Sequence, residues 1–117
     1  MDLDFSDFIK KSSEAARRVL SGARDGEDLA ADELLRLSQL EVPLDKSTLQ
    51  NSGHADRDSQ GAYVAYGGPA SDYAVRMHEH PEYKFQHGRK GKYLEDPLKR
   101  NQSTFLRLMG EQVKEAL

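Results

Sequence analysis

"VPLDKSTLQNS", Val42 to Ser52, is where one kind of chain stops and another begins. Upstream of it, apolar and small residues recur at helical spacing. At Pro43 that pattern ends, because proline has no amide to donate and disfavours helical geometry in the residue before it. Downstream the chain turns polar and offers no obvious catalytic group. Such a corner needs rigidity rather than reactivity: Pro43 sets the direction, and Asp45 or Ser47 can hydrogen-bond nearby backbone amides as an Asx or ST turn. Read as a helix-to-strand joint, the corner decides the fold.

Working backwards from it, the stripe runs through Phe5, Ile9, Ser12, Ala16, Val19, Ala23, Ala30, Leu34 and Leu37, widened by Phe8, Leu20 and Leu35. That is amphipathic helix spacing. Gly22 and Gly26 interrupt it, each costing about 1 kcal/mol against alanine, yet the register carries through. One long helix is expected, with room for a kink near Ser21–Gly26, and two helices joined there as the alternative.

Working forwards, "GAYVAYGG" (61–68) reads as a strand ending in a turn. Residues 49–55 are its expected pairing partner, with Asp56 to Gln60 as a polar connection, although Asn51, Ser52 and Gly53 are poor strand formers. "SDYAVRMHE" (71–79) is a short helix or a bent strand. "HPEYKFQHGRKGK" (80–92) is a basic, glycine-punctuated loop with room for a short strand at Tyr83–Phe85. Asp96 and Pro97 look like an N-cap and first helical position. Leu98, Phe105, Met109, Val113 and Leu117 then make a helical stripe that Gln102 alone breaks. The expected fold is a single α+β domain over residues 1–117: a long N-terminal helix, a small antiparallel sheet, and a C-terminal helix packed on one sheet face.

Composition narrows the chemistry. The chain has 117 residues and no cysteine, which removes disulfides, thiolate metal sites and thiol catalysis. No apolar run approaches the roughly 20 residues of a membrane helix, and the acidic N-terminus is unlike a signal peptide. Action in the cytoplasm, or in something assembled there, is the expectation. With 17 basic against 20 acidic side chains, a dedicated nucleic-acid binder is disfavoured. The charge is two-ended: net −4 from Met1 to Lys46 and net +4 from Lys84 to Arg100. Solvated helix faces with one basic loop would account for it. So would complementary ends that meet between neighbouring subunits, with Lys84, Arg89, Lys90 and Lys92 as the candidate interface.

Known catalytic patterns fit poorly. His78, His80 and His87 with Glu79 could face a zinc ion, but the spacing matches no metalloprotease helix or finger. A polar surface loop, with His78 buried and capping Tyr73–Met77, is the plainer reading. Ser52, His54 and Asp56 alternate without a glycine-flanked nucleophile elbow. "YGGPAS" lacks the lysine of a phosphate loop and reads as a turn. Tyr63 and Tyr66 are an odd number apart and fall on opposite strand faces, so they suit packing better than base stacking. No catalytic residue, cofactor or metal site is predicted.

The order of short motifs is more informative than any one of them. Val42, Pro43, Asp45, Leu49 and Ser52 at the corner, then Tyr73, Ala74, His78 and Glu79, then Gly91, Tyr93, Leu94 and Glu95 run nearly the length of the chain. Together they resemble the small neck proteins of long-tailed bacteriophages, called minor capsid, head–tail joining or tail-completion proteins. The usual pattern there is "VPVDTG-x-LR-x-S", a strand, "YA-x-x-VHE", and a glycine followed by "FLE-x-A" opening the last helix. This chain departs at Lys46–Ser47, where threonine–glycine is usual, and has Met77 in the valine place.

The resemblance implies a non-enzymatic virion protein that assembles with itself into a ring at the neck. Its neighbours would be portal-side head-completion and tail proteins, and DNA would pass through without sequence-specific binding. Host cytoplasm during assembly and the head–tail interface of the virion are the implied locations. A head-to-tail interface repeated around an axis closes into such a ring, and a net-acidic lumen would avoid holding DNA phosphates. Two other classes fit the same α+β shell: a regulatory or toxin–antitoxin-type binding module, and a small metal-dependent enzyme built on the loop from His78 to His87.

Overall fold

The computed structural model describes residues 5–42, 47–67, 73–77 and 92–117. The first helix, α1 (Phe5–Gln39), runs 35 residues without a break, about 52 Å at 1.5 Å per residue. The single long helix expected from the register is what forms, and the alternative of two helices joined at Ser21–Gly26 is corrected: Gly22 and Gly26 are buried positions within one unbroken helix. A Cβ on Gly26 would stand 2.7 Å from Met109 Cα, and one on Gly22 would stand 2.7 Å from the Gln112 carbonyl oxygen. Glycine is there because another helix backbone passes too close for any side chain.

After α1 come a short helix α2 (Ser47–Ser52), then β1 (His54–Asp58), β2 (Gly61–Tyr66) and β3 (Tyr73–Arg76). The three strands form an antiparallel sheet in the order β1-β2-β3. The strand expected over residues 49–55 is therefore corrected. Leu49 to Ser52 are helical, and the segment expected as a connection, Asp56 to Asp58, pairs with β2 at Asp56↔Tyr63 and Asp58↔Gly61. Asn51 and Ser52 do not favour a strand, and Ser52 Oγ donates back to the Leu49 carbonyl at 2.6 Å, a local bond that suits a helical turn. Of the acidic residues of β1, Asp58 is met by Arg76, and Asp56 is exposed and accepts from the Arg57 amide at 2.8 Å. The hairpin closes over Ser59 and Gln60, with Asp58 Oδ1 accepting from the Gln60 amide at 2.8 Å. Gly61 supplies the positive φ, 119°, that so short a loop demands.

The segment "YAVR" resolves as a strand, pairing Tyr66↔Tyr73 and Val64↔Val75, rather than a helix. Val75 and Met77 are buried and Ala74 and Arg76 are not, the two-residue period of a one-sided sheet. The Met77 amide donates to the Ala62 carbonyl at 2.9 Å and extends that edge.

The C-terminal region is two helices, α3 (Lys92–Arg100) and α4 (Gln102–Ala116). Asp96 and Pro97 do not open a helix as expected: α3 begins at Lys92 and Pro97 lies inside it. The break comes at Asn101, whose amide and side-chain Nδ2 both donate to the Pro97 carbonyl, at 3.1 and 2.8 Å. Gln102, the polar interruption of the stripe, is the exposed first residue after that junction. An Arg100–Glu41 ion pair ties the end of α3 back to the end of α1.

The result is an α+β fold, with the C-terminal helices packed against the sheet and along α1. One core holds Ala30, Ala31 and Leu34 of α1, Val64 and Tyr66 of β2, Val75, Met77, Leu94 and Leu98, and Phe105 and Met109 of α4. Among the described residues no helix is long and apolar enough to cross a membrane.

Candidate interaction surface

The corner is held by side chains the motif does not contain. Tyr66, fully buried, ends β2 beneath the last turn of α1. Its hydroxyl lies 2.6 Å from Ser38 Oγ and accepts from Gln39 Nε2 at 3.0 Å. Ser38 Oγ donates its one proton to the Leu35 carbonyl at 2.8 Å, so Tyr66 must be the donor to Ser38. Gln39 Nε2 also donates to the Gln50 carbonyl at 3.0 Å, and Gln50 Nε2 returns a bond to the Gln39 carbonyl at 3.3 Å. This relay locks α1, α2 and β2 together. Burial pushes the Tyr66 phenol up from its ordinary value despite those bonds, so it stays a neutral donor at physiological pH.

Of the corner residues, Val42 is buried in the core and Leu49 packs against it. Ser52 Oγ accepts from the Gly67 amide at 2.9 Å, which pins the end of β2 to α2. Ser47 opens α2, and no non-glycine residue among those described takes a positive φ. The glycine usual in the resembled pattern is therefore not needed. Pro43 and Asp45 lie outside the described residues. In the second motif Tyr73 and Ala74 are in β3, while His78 and Glu79 lie outside. In the third, Leu94 is buried in α3, Tyr93 stacks edge-on against Tyr66 with centroids 5.1 Å apart, and Glu95 pairs with Lys99. Gly91, and with it the short strand expected at Tyr83–Phe85, lies outside.

The motif residues within view are thus structural. Lys84, Arg89 and Lys90 of the candidate interface also lie outside the described residues, as do His80 and His87. Lys92 is the first residue of α3 rather than part of a loop. Ser52, His54 and Asp56 do not converge: Ser52 is in α2, and His54 Nδ1 lies 3.0 Å from the Ser52 backbone carbonyl, not its hydroxyl. Tyr63 and Tyr66 do fall on opposite faces. Tyr63 is half-buried with Arg76 over its ring at 5.4 Å, whereas Tyr66 is in the core.

The acidic charge is not spread along α1. Its first half, Phe5 to Leu20, carries Lys10, Lys11, Arg17 and Arg18 against Asp7 and Glu14, net +2. Its second half concentrates Asp25, Glu27, Asp28, Asp32 and Glu33 against Arg24 and Arg36, net −3. Arg57 from β1 reaches into that half, bonding Glu27 Oε1 and Asp28 Oδ1 at 3.0 Å each and the Arg24 carbonyl at 2.9 Å. Two open clefts flank this clamp, about 440 and 250 Å³ in volume, sharing Asp28 and Arg57 in their walls. The Arg57–Asp28 ion pair forms part of the wall of each.

On the other side of the hairpin, Arg76 grips both oxygens of Asp58, at 2.6 and 2.7 Å. That guanidinium, helped by the Gln60 amide, holds the Asp58 carboxyl down at about 2. The ordinary value is about 3.9. Because the folded value is the lower one, the bridge stabilises fully above about pH 4, and the contribution is lost as pH falls through about 2. A carboxyl-detected NMR titration should find the Asp58 midpoint near 2, and Arg76→Gln should return it toward about 3.9. An ordinary midpoint in the wild type would mean the bridge is not kept in solution.

The feature that calls for a partner is the N-terminal half of α1. Phe5, Phe8 and Ile9 are 69%, 67% and 62% exposed, and Leu20 is 64% exposed. At 100° per residue, Phe5, Phe8, Ile9, Ser12, Ala16 and Val19 fall on the face that, further along, carries Gly26, Ala30 and Leu34. That later part of the face is covered by α4, which runs antiparallel to α1. Met109 meets Gly26, and Ala116 meets Gly22. From Gly22 back to Phe5 the same apolar face continues without a partner among the described residues. Isolated exposed apolar side chains are ordinary, but a contiguous stripe marks an interaction surface.

One signal lies in the sequence itself. Gly22, Gly26 and Ala30 recur every fourth residue, the small-residue spacing that admits a second helix, and this locates the α4 contact. The Ser38–Gln39–Gln50–Tyr66 relay had no local signal, because its members are far apart in the chain and only the fold joins them. Comparison with family models, with curated proteins and with solved structures finds no match to this chain.

Proposed function

We propose that this chain is a structural assembly protein of the phage neck, a ring-forming component that joins the DNA-filled head to the tail. The observation that carries the assembly reading is the exposed stripe of Phe5, Phe8 and Ile9 on a helix that outruns its own core. The order of the corner, "YA-x-x-MHE" and "GKYLE" motifs supports the neck. So does the observation that the motif residues in view, Val42, Leu49, Ser52, Tyr93 and Leu94, stiffen the scaffold. In an assembly protein the scaffold is the working part. The acidic stretch of α1 offers one charged face to a neighbouring subunit and suits a lumen through which DNA passes unbound.

Mass measurement combined with negative-stain imaging tests this. The wild type should form a closed, symmetric assembly. The Phe8→Asp, Ile9→Asp double variant should give a smaller species with an unchanged melting temperature, since both side chains are outside the core. It should also fail to complement a phage lacking this gene. A wild type that stays monomeric at high concentration, alone and with its neck neighbours, would remove the proposal.

A further inference from the structure

We infer that the exposed half of α1 takes the same half of α1 from a second copy, packed antiparallel about a two-fold axis near Ser12. This rests on the reading of that stripe as an assembly surface and adds the partner and its direction.

Continuity with the α1–α4 contact argues for it. The apolar face of α1 is already occupied by α4 from Gly22 onward. A helix laid on the vacant part of that face in the parallel direction would run into α4 of the first copy as soon as it passed Gly22. Its own α4, on its own equivalent face, would compete for the same space. An antiparallel helix has no such conflict. Its Phe5 end lies opposite Val19 and Leu20 of the first copy, short of the Gly22 position that α4 covers. The vacant length and the length available to fill it are the same segment, so the pairing is self-complementary.

Side-chain size agrees. The centre of the stripe is Ser12, Ser13, Ala15 and Ala16, which lets helix axes come close, while Phe5, Phe8 and Ile9 at one end meet Ala16, Val19 and Leu20 at the other. Asp7, Lys10, Glu14, Arg17 and Arg18 project from the remaining circumference, so no charge is buried at the seam. The end of α4 also places its carbonyl-rich terminus beside the amide-rich start of the incoming helix, a favourable dipole arrangement. Two such faces together bury about 1,000 Å², near the lower bound for a specific interface. The pairing is therefore weak alone and gains from repetition. Because a two-fold contact closes at two copies, closure of a ring requires a separate head-to-tail surface. The α1 contact would then join copies in pairs.

The chain has no cysteine, so single introduced cysteines report geometry without background. Ser12→Cys, at an exposed position, should cross-link to itself under mild oxidation or with a short bis-maleimide. Phe5→Cys alone should not, because the two Phe5 positions lie at opposite ends of the seam. Phe5→Cys mixed with Val19→Cys should cross-link in the mixed pair. Phe8→Asp placed in the Ser12→Cys background should cut the yield at least tenfold. Self-linking of Phe5→Cys would mean parallel pairing and overturn the inference. Assembly by mass with no Ser12→Cys product would also overturn it, pointing to a head-to-tail occupant while leaving the assembly reading intact. A protein monomeric by mass and unlinked at every position would end both.

Discussion

Gly26→Ala is expected to destabilise the fold by about 2 kcal/mol, although helix propensity alone would make the change favourable by about 1 kcal/mol. The opposing effect is steric. The new methyl would stand 2.7 Å from Met109 Cα and 2.9 Å from the Met109 carbonyl oxygen, both backbone atoms that no rotamer change can move away. Relief requires α4 to shift away from α1, and overpacking of this kind costs about 1–3 kcal/mol, here at the upper end. Adding Gly22→Ala should cost less than a second full increment, because the first substitution has already parted the helices at the neighbouring turn. Gly110→Ala is the control. It lies on the exposed side of α4, with nothing within 4 Å of its would-be Cβ, so it should stabilise by up to about 1 kcal/mol. Thermal and urea unfolding of the three variants check both signs. A stabilised Gly26→Ala protein would mean that α4 does not lie against α1 as described.

The second large effect is expected at Tyr66. Tyr66→Phe keeps the ring in the core but removes the hydroxyl that donates to Ser38 and accepts from Gln39. Each partner keeps one other bond, Ser38 to Leu35 and Gln39 to Gln50, so the loss should be about 1–2 kcal/mol rather than the full penalty of stranded groups. Tyr66→Ala adds the missing ring in a fully buried site and should cost about 4 kcal/mol. A double-mutant cycle with Ser38→Ala separates the two contributions. Coupling between Tyr66→Phe and Ser38→Ala of about 1 kcal/mol is expected, and simple additivity would show that the relay does not act as a unit. Gly53 belongs to the same lock. A Cβ there would come within 2.6 Å of the Tyr66 ring and 2.4 Å of Gln39 Nε2, so side chains are excluded because the knot fills that space.

Where the sequence misled, the cause was a contact made far along the chain. Gly22 and Gly26 cost helix propensity and so suggested a kink; the tertiary contact with α4 explains why they are there. Asp96–Pro97 has the composition of a helix start, but Leu94 is drawn into the core and the helix begins earlier, leaving Asn101 to make the break. Asp56 and Asp58 looked like connection residues because acidic side chains are unfavourable in strands. Arg76 of β3 pairs with Asp58, while Asp56 faces solvent and accepts from the Arg57 amide, so neither carboxylate is buried or stranded in the strand.

The sequence by itself determined the long helix of α1, the strand at Gly61–Tyr66, the end of the first helix before Pro43 and the amphipathic C-terminal region, hence the α+β class. Each depends on residue spacing and on the backbone limits of proline and glycine, which act locally. Only the tertiary structure decided which part of the α1 stripe is core and which is surface. Phe5, Ile9, Ala30 and Leu34 share one period and one face, yet Phe5 and Ile9 are exposed while Ala30 and Leu34 are fully buried. The period fixes direction around a helix and says nothing about how far along it a partner reaches. Here α4 lies against α1 at Gly26 and Gly22, and the exposed Phe5 and Ile9 lie beyond that contact.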